Sequence, residues 1–463
     1  MFDSKIYTER RARLKEQVGS GLLLFLGNEE SPMNYPANTY HFRQDSSYLY
    51  FFGLETPSLA AIVDVDEGKD VIFGNDVDIE DIIWMGHLPT INERAALVGV
   101  SKTELLVKLE ETISEAQKKG KTIHYLPPYR PETVHKITRL IGIEHDSVKK
   151  YASKEFIMAV VAQRNVKIPE EIAQMELAHE VTYNMYITAM KMAKHGVYEH
   201  EIAGTMEGII GASDCHVAFP IILTKNGQIL HNHYHGNQLE NGNLLVMDSG
   251  SDSPMNYASD ITRTIPVGGK FSEKQKQIYE IVLQAQETAI QNIKAEIMFK
   301  DIHLQSASVI ASGLKEVGLM KGDTDEAVRA GAHALFFPHG LGHMIGLDVH
   351  DMEDLGEDFV GYDHTVQRSS QFGLAYLRLA KKLEPGHVVT VEPGIYFIPA
   401  LIDQWAATKK FEEFIDYQKV EEYRNFGGIR IEDDILVTQE GSQVLGKHIP
   451  KTVEEVEEIT ASG

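Results

Sequence analysis

Two twelve-residue stretches of the chain share one pattern, and each carries an acid at its tenth position. Leu239–Gly250 reads LENGNLLVMDSG and Leu383–Gly394 reads LEPGHVVTVEPG, which aligns Asp248 with Glu392. In both copies a glycine-containing turn leads into a short apolar run, which predicts a buried β-strand ending at the acid. A duplication that repeats an acid at a strand end predicts a site shared by two related halves. Paired carboxylates on a rigid scaffold suit a metal pair or an acid–base pair.

Length and composition restrict the class of protein. With 463 residues, the chain exceeds the size of a single hydrophobic core, so two or more domains are expected. The formal net charge of -24 argues against a nucleic-acid or anionic-membrane partner. No apolar run reaches the length that spans a bilayer, and the charged N-terminus does not resemble a signal peptide. Because Cys215 is the only cysteine, we expect a reducing compartment and a cytoplasmic protein.

Hydrophobic periodicity divides the chain into two α/β regions. We place the boundary near Asn165, which gives domains 1–165 and 166–463. The expected strands of the first domain are Leu22–Leu26, Tyr48–Phe52, Ala60–Val65 and Asp70–Phe73, and its expected helices are 5–18, Lys102–Gln117 and Glu132–Leu140. The second domain should contain helices at Ser272–Lys294 and Ile302–Val317. Two stretches, 361–372 and 399–425, read as insertions, which form surface loops or active-site lids.

Each duplicated stretch is followed by a second acidic strand. Asp260 lies in YASDITRT, twelve residues after Asp248, and the run GGIRIEDDI follows Glu392. A period of two places Arg430, Glu432 and Asp434 on one face of the second run. Burying such acids costs several kcal/mol unless a cation compensates them. A metal would supply that compensation.

Histidines add imidazole ligands to these acids. The run FFPHGLGHMIGLDVHD contains His339, His343 and His350, and its glycines favour a loop lining a cleft over a helical zinc motif. His233 and His235 read as solvent-exposed loop residues. A set rich in carboxylates suits Mn, Fe, Co or Zn, and four carboxylates suit two ions.

Four of these runs resemble motifs of the Xaa-Pro aminopeptidases and prolidases, which are dinuclear metallopeptidases. They are YASDITRT, HGLGH with its trailing LDVHD, VEPGIY and GIRIEDD. FRQDSSYLYFFG is similar to the N-terminal domain of aminopeptidase P, and Trp84 resembles a tryptophan that lines a neighbouring subunit's active site. The resemblance implies a C-terminal pita-bread catalytic domain with pseudo-two-fold symmetry, preceded by a smaller α/β domain. It also implies a homodimer or homotetramer.

The resemblance assigns roles to individual residues. It implies that two divalent ions, with Mn²⁺ favoured, are bound by Asp248, Asp260, His343, Glu392 and Glu432. Glu392 would also take part in proton transfer at the attacking hydroxide. His231 and His350 would contact the substrate. His339 would shuttle a proton, and Arg430 would orient the site. The family spacing between the first two aspartates is one residue shorter than here. We expect the extra residue to enlarge a hairpin turn, with Asp252 as the alternative acid.

The activity implied is release of the N-terminal residue from peptides with proline in second position. A hydroxide bridging the two metals would attack the Xaa-Pro carbonyl. The first alternative is a prolidase restricted to dipeptides, which shares the metals and the mechanism. The second is a binding protein on the same fold without metal or activity.

Overall fold

The structure, a computed structural model, describes residues 1–462 and divides the chain into two compact units. The first unit contains Met1–Arg164 together with Met352–Phe359, and the second contains Asn165–Asp351 together with Val360–Gly463. No local pattern in Met352–Phe359 indicates that it belongs with the first unit. Within residues 1–462, none of the helices is both long enough and apolar enough to cross a bilayer.

The strands of the first unit are β1 (Leu22–Leu26), β2 (Pro32–Tyr35), β3 (Asn38–Thr39), β4 (Ala60–Asp64), β5 (Lys69–Phe73), β6 (Lys102–Glu104) and β7 (Ile123–Tyr125). Five of them form a mixed sheet with strand order β6-β5-β4-β1-β7, and β2 and β3 pair separately. Its helices are α1 (Ser4–Val18), α2 (Ser46–Phe52), α3 (Ile79–Met85), α4 (Ile91–Leu97), α5 (Lys108–Lys118), α6 (Pro131–Ile141) and α7 (Lys154–Arg164).

Two sequence predictions in this unit are wrong. The run Tyr48–Phe52 forms most of helix α2 instead of a strand, and every residue of that helix is buried. A continuous apolar run does not distinguish a buried strand from a buried helix. The flanking residues favour the helix, because the Asp45 side chain accepts the N–H of Tyr48 at its start and Gly53 ends it at φ 60°. The predicted helix Lys102–Gln117 begins only at Lys108, because its first residues pair with β5 as β6.

The second unit contains the duplicated stretches. Its helices are α8 (Pro169–Met192), α9 (Glu199–Ala212), α10 (Glu273–Asn292), α11 (Phe299–Glu316), α12 (Thr324–Ala330), α13 (Glu357–Val360, which overlaps the boundary), α14 (Pro399–Ala407), α15 (Tyr417–Glu421) and α16 (Val453–Ala461). Its strands are β8 (Ile222–Thr224), β9 (Leu244–Ser249), β10 (Ile261–Pro266), β11 (Val388–Val391), β12 (Gly394–Tyr396), β13 (Gly428–Arg430), β14 (Asp433–Val437) and β15 (Ser442–Val444).

The two duplicated stretches form corresponding strands, as predicted. β9 pairs antiparallel with β10, and β11 pairs antiparallel with β14. All residues of β9 and β11 are buried. Each copy therefore supplies the first strand of an antiparallel pair.

The second acidic run is not one continuous strand, although Arg430 and Glu432 line the same cavity, as the predicted alternation requires, whereas Asp434 does not. β13 ends at Arg430 and β14 begins at Asp433. Between them, the N–H of Glu432 donates to the carbonyl of Thr262 at 3.0 Å, which links this run to β10. The carboxylate of Glu432 also accepts a hydrogen bond from Oγ1 of Thr262 at 2.6 Å.

Candidate metal and substrate site

All nine sequence-predicted site residues line one cavity of about 590 Å³ in the second unit. The cavity size is typical of small-molecule sites. The predicted residues on its wall are Asp248, Asp260, Glu392, Glu432, His231, His339, His343, His350 and Arg430. The lining also contains His233, Phe372, Tyr376 and Arg378, to which the sequence assigned no role.

The duplicated strand pairs position the four acids. Asp248 lies near the end of β9, and Glu392 directly follows β11. Asp260 directly precedes β10, and Glu432 directly precedes β14. Because each pair is antiparallel, the end of the first strand meets the start of the second, so each half contributes two acids to the same place.

Three predicted ligands form a tight group. Asp260, His343 and Glu432 each offer one ligand atom, and these atoms lie within 4.8 Å of one another. The Nδ1 atom of His343 lies 3.1 Å from the carbonyl of Met344, to which it donates. Nε2 of His343 therefore presents its lone pair towards Asp260 Oδ2, 3.5 Å away. A backbone partner that fixes the tautomer in this way is typical of metal-binding histidines.

Asp248 lies on the cavity wall, but its carboxylate pairs with the guanidinium of Arg430 instead of joining the tight group. In the turn before β10, Asn256 adopts φ 65° and Asp252 forms a bridge with Ala258. Asp248 lies opposite Thr262 in the β9–β10 pair.

The chemistry of the acids fits a divalent cation. Oδ1 of Asp260 is buried and has no hydrogen-bond partner within residues 1–462. Burial and the neighbouring acids raise the pKa of Asp260 and of Glu432 well above the ordinary range, and burial raises the pKa of Glu392 to about 8. Like charges held together in a desolvated site are stabilised by a bound cation. The residues present therefore fit an oxygen-rich metal site.

His350 is oriented by an arginine that the sequence analysis missed. Nη1 of Arg378 donates to Nδ1 of His350 at 2.9 Å. Since Nδ1 is an acceptor, the proton of the neutral ring is on Nε2, which is a hydrogen-bond donor. The ring of His350 contacts that of His343 at 4.4 Å between centroids. A lone arginine after an insertion gives no local signal that separates a cleft residue from a surface one.

A hydrogen-bond chain with a fixed direction runs along the other side of the cavity. Nη1 of Arg430 donates to the phenol oxygen of Tyr396 at 2.8 Å, and the phenol lies 2.9 Å from Nε2 of His339. Nδ1 of His339 donates to the carbonyl of Gly340 at 2.8 Å, so Tyr396 must donate to Nε2. Burial lowers the pKa of His339 to about 3, which keeps this ring neutral.

The chain is similar to known proteins along most of its length. A model of metallopeptidase family M24 matches residues 173–439, and a model of the aminopeptidase P N-terminal domain matches residues 7–124. A probable Xaa-Pro aminopeptidase of Fusarium vanettenii is 32% identical over 428 residues, covering 91% of this chain and 88% of that protein. The Xaa-Pro dipeptidase of Homo sapiens is 29% identical over 462 residues, covering 97% and 91%.

Solved structures also show similarity to aminopeptidase P. Aminopeptidase P from E. coli, determined with the inhibitor Pro-Leu, superposes with a TM-score of 0.81 at 27% identity, covering 100% of this chain and 99% of that one. The predicted α/β fold, with an N-terminal domain of the aminopeptidase P type before a pita-bread domain, is confirmed. The chain therefore belongs to metallopeptidase family M24, and the protein is a peptide hydrolase.

Proposed function

We propose that this protein is a metal-dependent Xaa-Pro aminopeptidase, which releases the N-terminal residue from peptides with proline in second position. The observation that carries the proposal is one cavity lined by all nine predicted side chains. They are four acids, four histidines and one arginine. Similarity to the Fusarium vanettenii protein and to E. coli aminopeptidase P supports this substrate class.

We assign metal binding to five residues: Asp248, Asp260, His343, Glu392 and Glu432. This carboxylate-rich set favours Mn²⁺, with Fe, Co and Zn as alternatives. Two divalent ions would supply Lewis-acid activation of water and of the scissile carbonyl. Elemental analysis after purification without chelators tests the assignment, and a protein that neither contains nor binds a divalent metal would support the non-catalytic alternative.

The side chains around the acids would bind the peptide and move protons. Glu392 would accept a proton from the attacking water and deliver it towards the leaving proline nitrogen. Nε2 of His350 would donate to the carbonyl oxygen as negative charge develops there. His231 and His339 would hold the substrate from the cavity wall, and Arg430 would orient Asp248.

A second candidate is an Xaa-Pro dipeptidase, and Arg378 favours it. This cation lines the cavity beside His350. A guanidinium in a cleft is suited to pair with a carboxylate, such as the free C-terminus of a dipeptide. The human Xaa-Pro dipeptidase supports this alternative through its similarity over nearly the whole chain.

Kinetics on matched substrates separates the two candidates. The Mn²⁺-loaded protein is given Ala-Pro, Ala-Pro-amide and Ala-Pro-Gly. An aminopeptidase hydrolyses the tripeptide at a rate comparable to the dipeptide, whereas activity on Ala-Pro alone identifies the dipeptidase. If Arg378 binds the terminal carboxylate, amidation and Arg378→Ala each lower kcat/KM about tenfold without adding to one another. Arg13→Ala, at an exposed site, is the control.

The remaining assignments concern organisation. We assign residues 1–165 to the N-terminal domain and 166–463 to the catalytic domain.

We also propose a homodimer or homotetramer, supported by Trp84, which is 78% exposed on α3, a helix without buried residues. The single cysteine supports a cytoplasmic location. Sedimentation of wild type and Trp84→Ala tests the assembly, and an unchanged monomer in both would contradict it.

A further inference from the structure

The two inserted stretches, 361–372 and 399–425, meet through an aromatic contact. Phe372 ends the first stretch, and Trp405 lies on α14 in the second. Their ring centroids are 5.7 Å apart with the planes at 65°. An edge-to-face arrangement is a favourable geometry for two aromatic rings. The two stretches therefore contact each other within the second unit.

The Trp405 side of this contact is buried in the second unit. Trp405 is only 3% exposed, and Nζ of Lys410 lies 4.0 Å from its ring centroid. After Phe372 the chain reverses at Gly373, where φ is 84° and a Cβ atom would come within 2.7 Å of the Ala334 side chain. This reversal brings Tyr376 beside Phe372, with the two rings perpendicular and 5.9 Å apart.

Phe372 and Tyr376 line the cavity that contains the acids, and Trp405 packs behind Phe372. We call these three residues the aromatic wall. Tyr376 is 58% exposed. A large aromatic ring exposed on a concave surface beside polar groups is placed to contact a ligand.

Charge indicates which end of a peptide reaches the wall. Arg378 lines the same cavity as Tyr376, which precedes it by two residues, and a guanidinium pairs well with a carboxylate. We therefore place the aromatic wall on the carboxyl side of the bond to be cleaved. The backbone next to Tyr376 packs closely against the loop that carries His339 and His343. A Cβ atom on Gly340 of that loop would lie 2.9 Å from Leu377 Cα.

We propose that the aromatic wall limits how far a peptide extends beyond the proline, so that short Xaa-Pro peptides are the substrate class of this protein. The inference rests on the proposed function and refines it. A wall of aromatic rings discriminates against longer peptides because accommodating them requires the rings to move.

The test compares chain lengths in matched variants of the metal-loaded protein. The substrates are Ala-Pro, Ala-Pro-Gly and Ala-Pro-Gly-Gly-Gly, and the readout is the ratio of kcat/KM for the pentapeptide to that for the dipeptide. In wild type the ratio should be well below one. Tyr376→Ala and Phe372→Ala should each raise it about tenfold, the size expected for relieving a steric conflict of 1–2 kcal/mol. Tyr376→Phe keeps the ring and should leave the ratio unchanged.

Tyr151, in the first unit, provides the control because it is also 58% exposed, and Tyr151→Ala should leave the ratio unchanged. Circular dichroism and thermal unfolding verify that each variant folds, and two independent variants protect against the failure of one. A wild-type ratio near one, or an unchanged ratio in both alanine variants, would overturn the inference. If wild type hydrolyses none of the peptides, the proposed function fails, and the inference fails with it.

Discussion

The imidazole of His179 on α8 lies 3.0 Å from the carboxylate of Asp434, and both side chains are buried. Nδ1 of His179 donates to the carbonyl of Met175 at 2.7 Å, so Nδ1 carries a proton. When Nε2, which faces Asp434, is also protonated, the ring is cationic. Burial lowers the pKa of His179, but the neighbouring Asp434 carboxylate outweighs that effect and raises the pKa overall. Asp434 in turn accepts the N–H of Asp260 at 2.8 Å. His179 therefore positions a predicted metal ligand through Asp434.

His179→Leu should destabilise the protein by about 3 kcal/mol, because it leaves the Asp434 carboxylate buried without a cation. Urea unfolding measures the loss, and metal titration should show weaker binding. His333→Leu is the matched control, since His333 is equally buried and burial lowers its pKa to about 4, which keeps it neutral. The double variant His179→Leu with Asp434→Asn should recover part of the stability. A His179→Leu protein as stable as His333→Leu would contradict the ion pair.

Tyr396→Phe should lower kcat/KM about tenfold without unfolding the protein, because it leaves Nε2 of His339 and a guanidinium N–H of Arg430 without their partner. Steady-state kinetics on Ala-Pro measures the effect. Tyr279→Phe is the control, because it removes a phenol of similar burial that donates to the carbonyl of Lys451 at 2.8 Å, outside the cavity lining. Equal losses of activity in the two variants would indicate a general packing effect.

Glu392→Gln should lower kcat at least about 10³-fold while the fold remains intact, because the amide neither accepts the proton nor carries the ligand charge. Activity and metal content are measured on the same preparation. The control is Glu296→Gln, whose side chain is 77% exposed. Full activity in Glu392→Gln would remove this residue from the mechanism.

Metal removal should make stability depend on pH in a specific direction. The pKa of Glu392 is raised from 4.5 to about 8 in the folded chain, so between these values the native state binds more protons than the unfolded state. The contribution of Glu392 to the stability of the chelated protein should therefore be greatest below the unfolded value and fall as pH rises towards 8. Mn²⁺ should stabilise more at high pH, where protons no longer compete for the ligands.

Thermal unfolding with chelator and with Mn²⁺, at several pH values across this range, measures the effect. Glu392→Gln isolates the contribution of this group, since all other ionisable groups are shared with wild type. Its metal-free profile should be flatter. A steeper fall with pH in the variant than in wild type would refute the assignment.

Local sequence was sufficient for the strands that carry the acids. The duplicated turn and apolar run predicted β9 and β11, because a buried strand is encoded by consecutive apolar residues and the turn beside it. It was insufficient at Tyr48–Phe52, where a helix and a strand share the same apolar pattern. Local sequence also did not predict the break at Ile431. The Glu432 N–H there donates to the carbonyl of Thr262, which belongs to another strand.

The sequence by itself determined the residue types of the candidate site and its two-fold repetition, since both are properties of short segments. Only the tertiary structure decided that Arg378 holds His350, that Tyr396 joins His339 to Arg430, and that Phe372 packs on Trp405. These pairs are separated by many residues, so no periodicity connects them. They form because burial of the surrounding apolar surface brings distant segments together, and their polar groups must then find partners inside the fold.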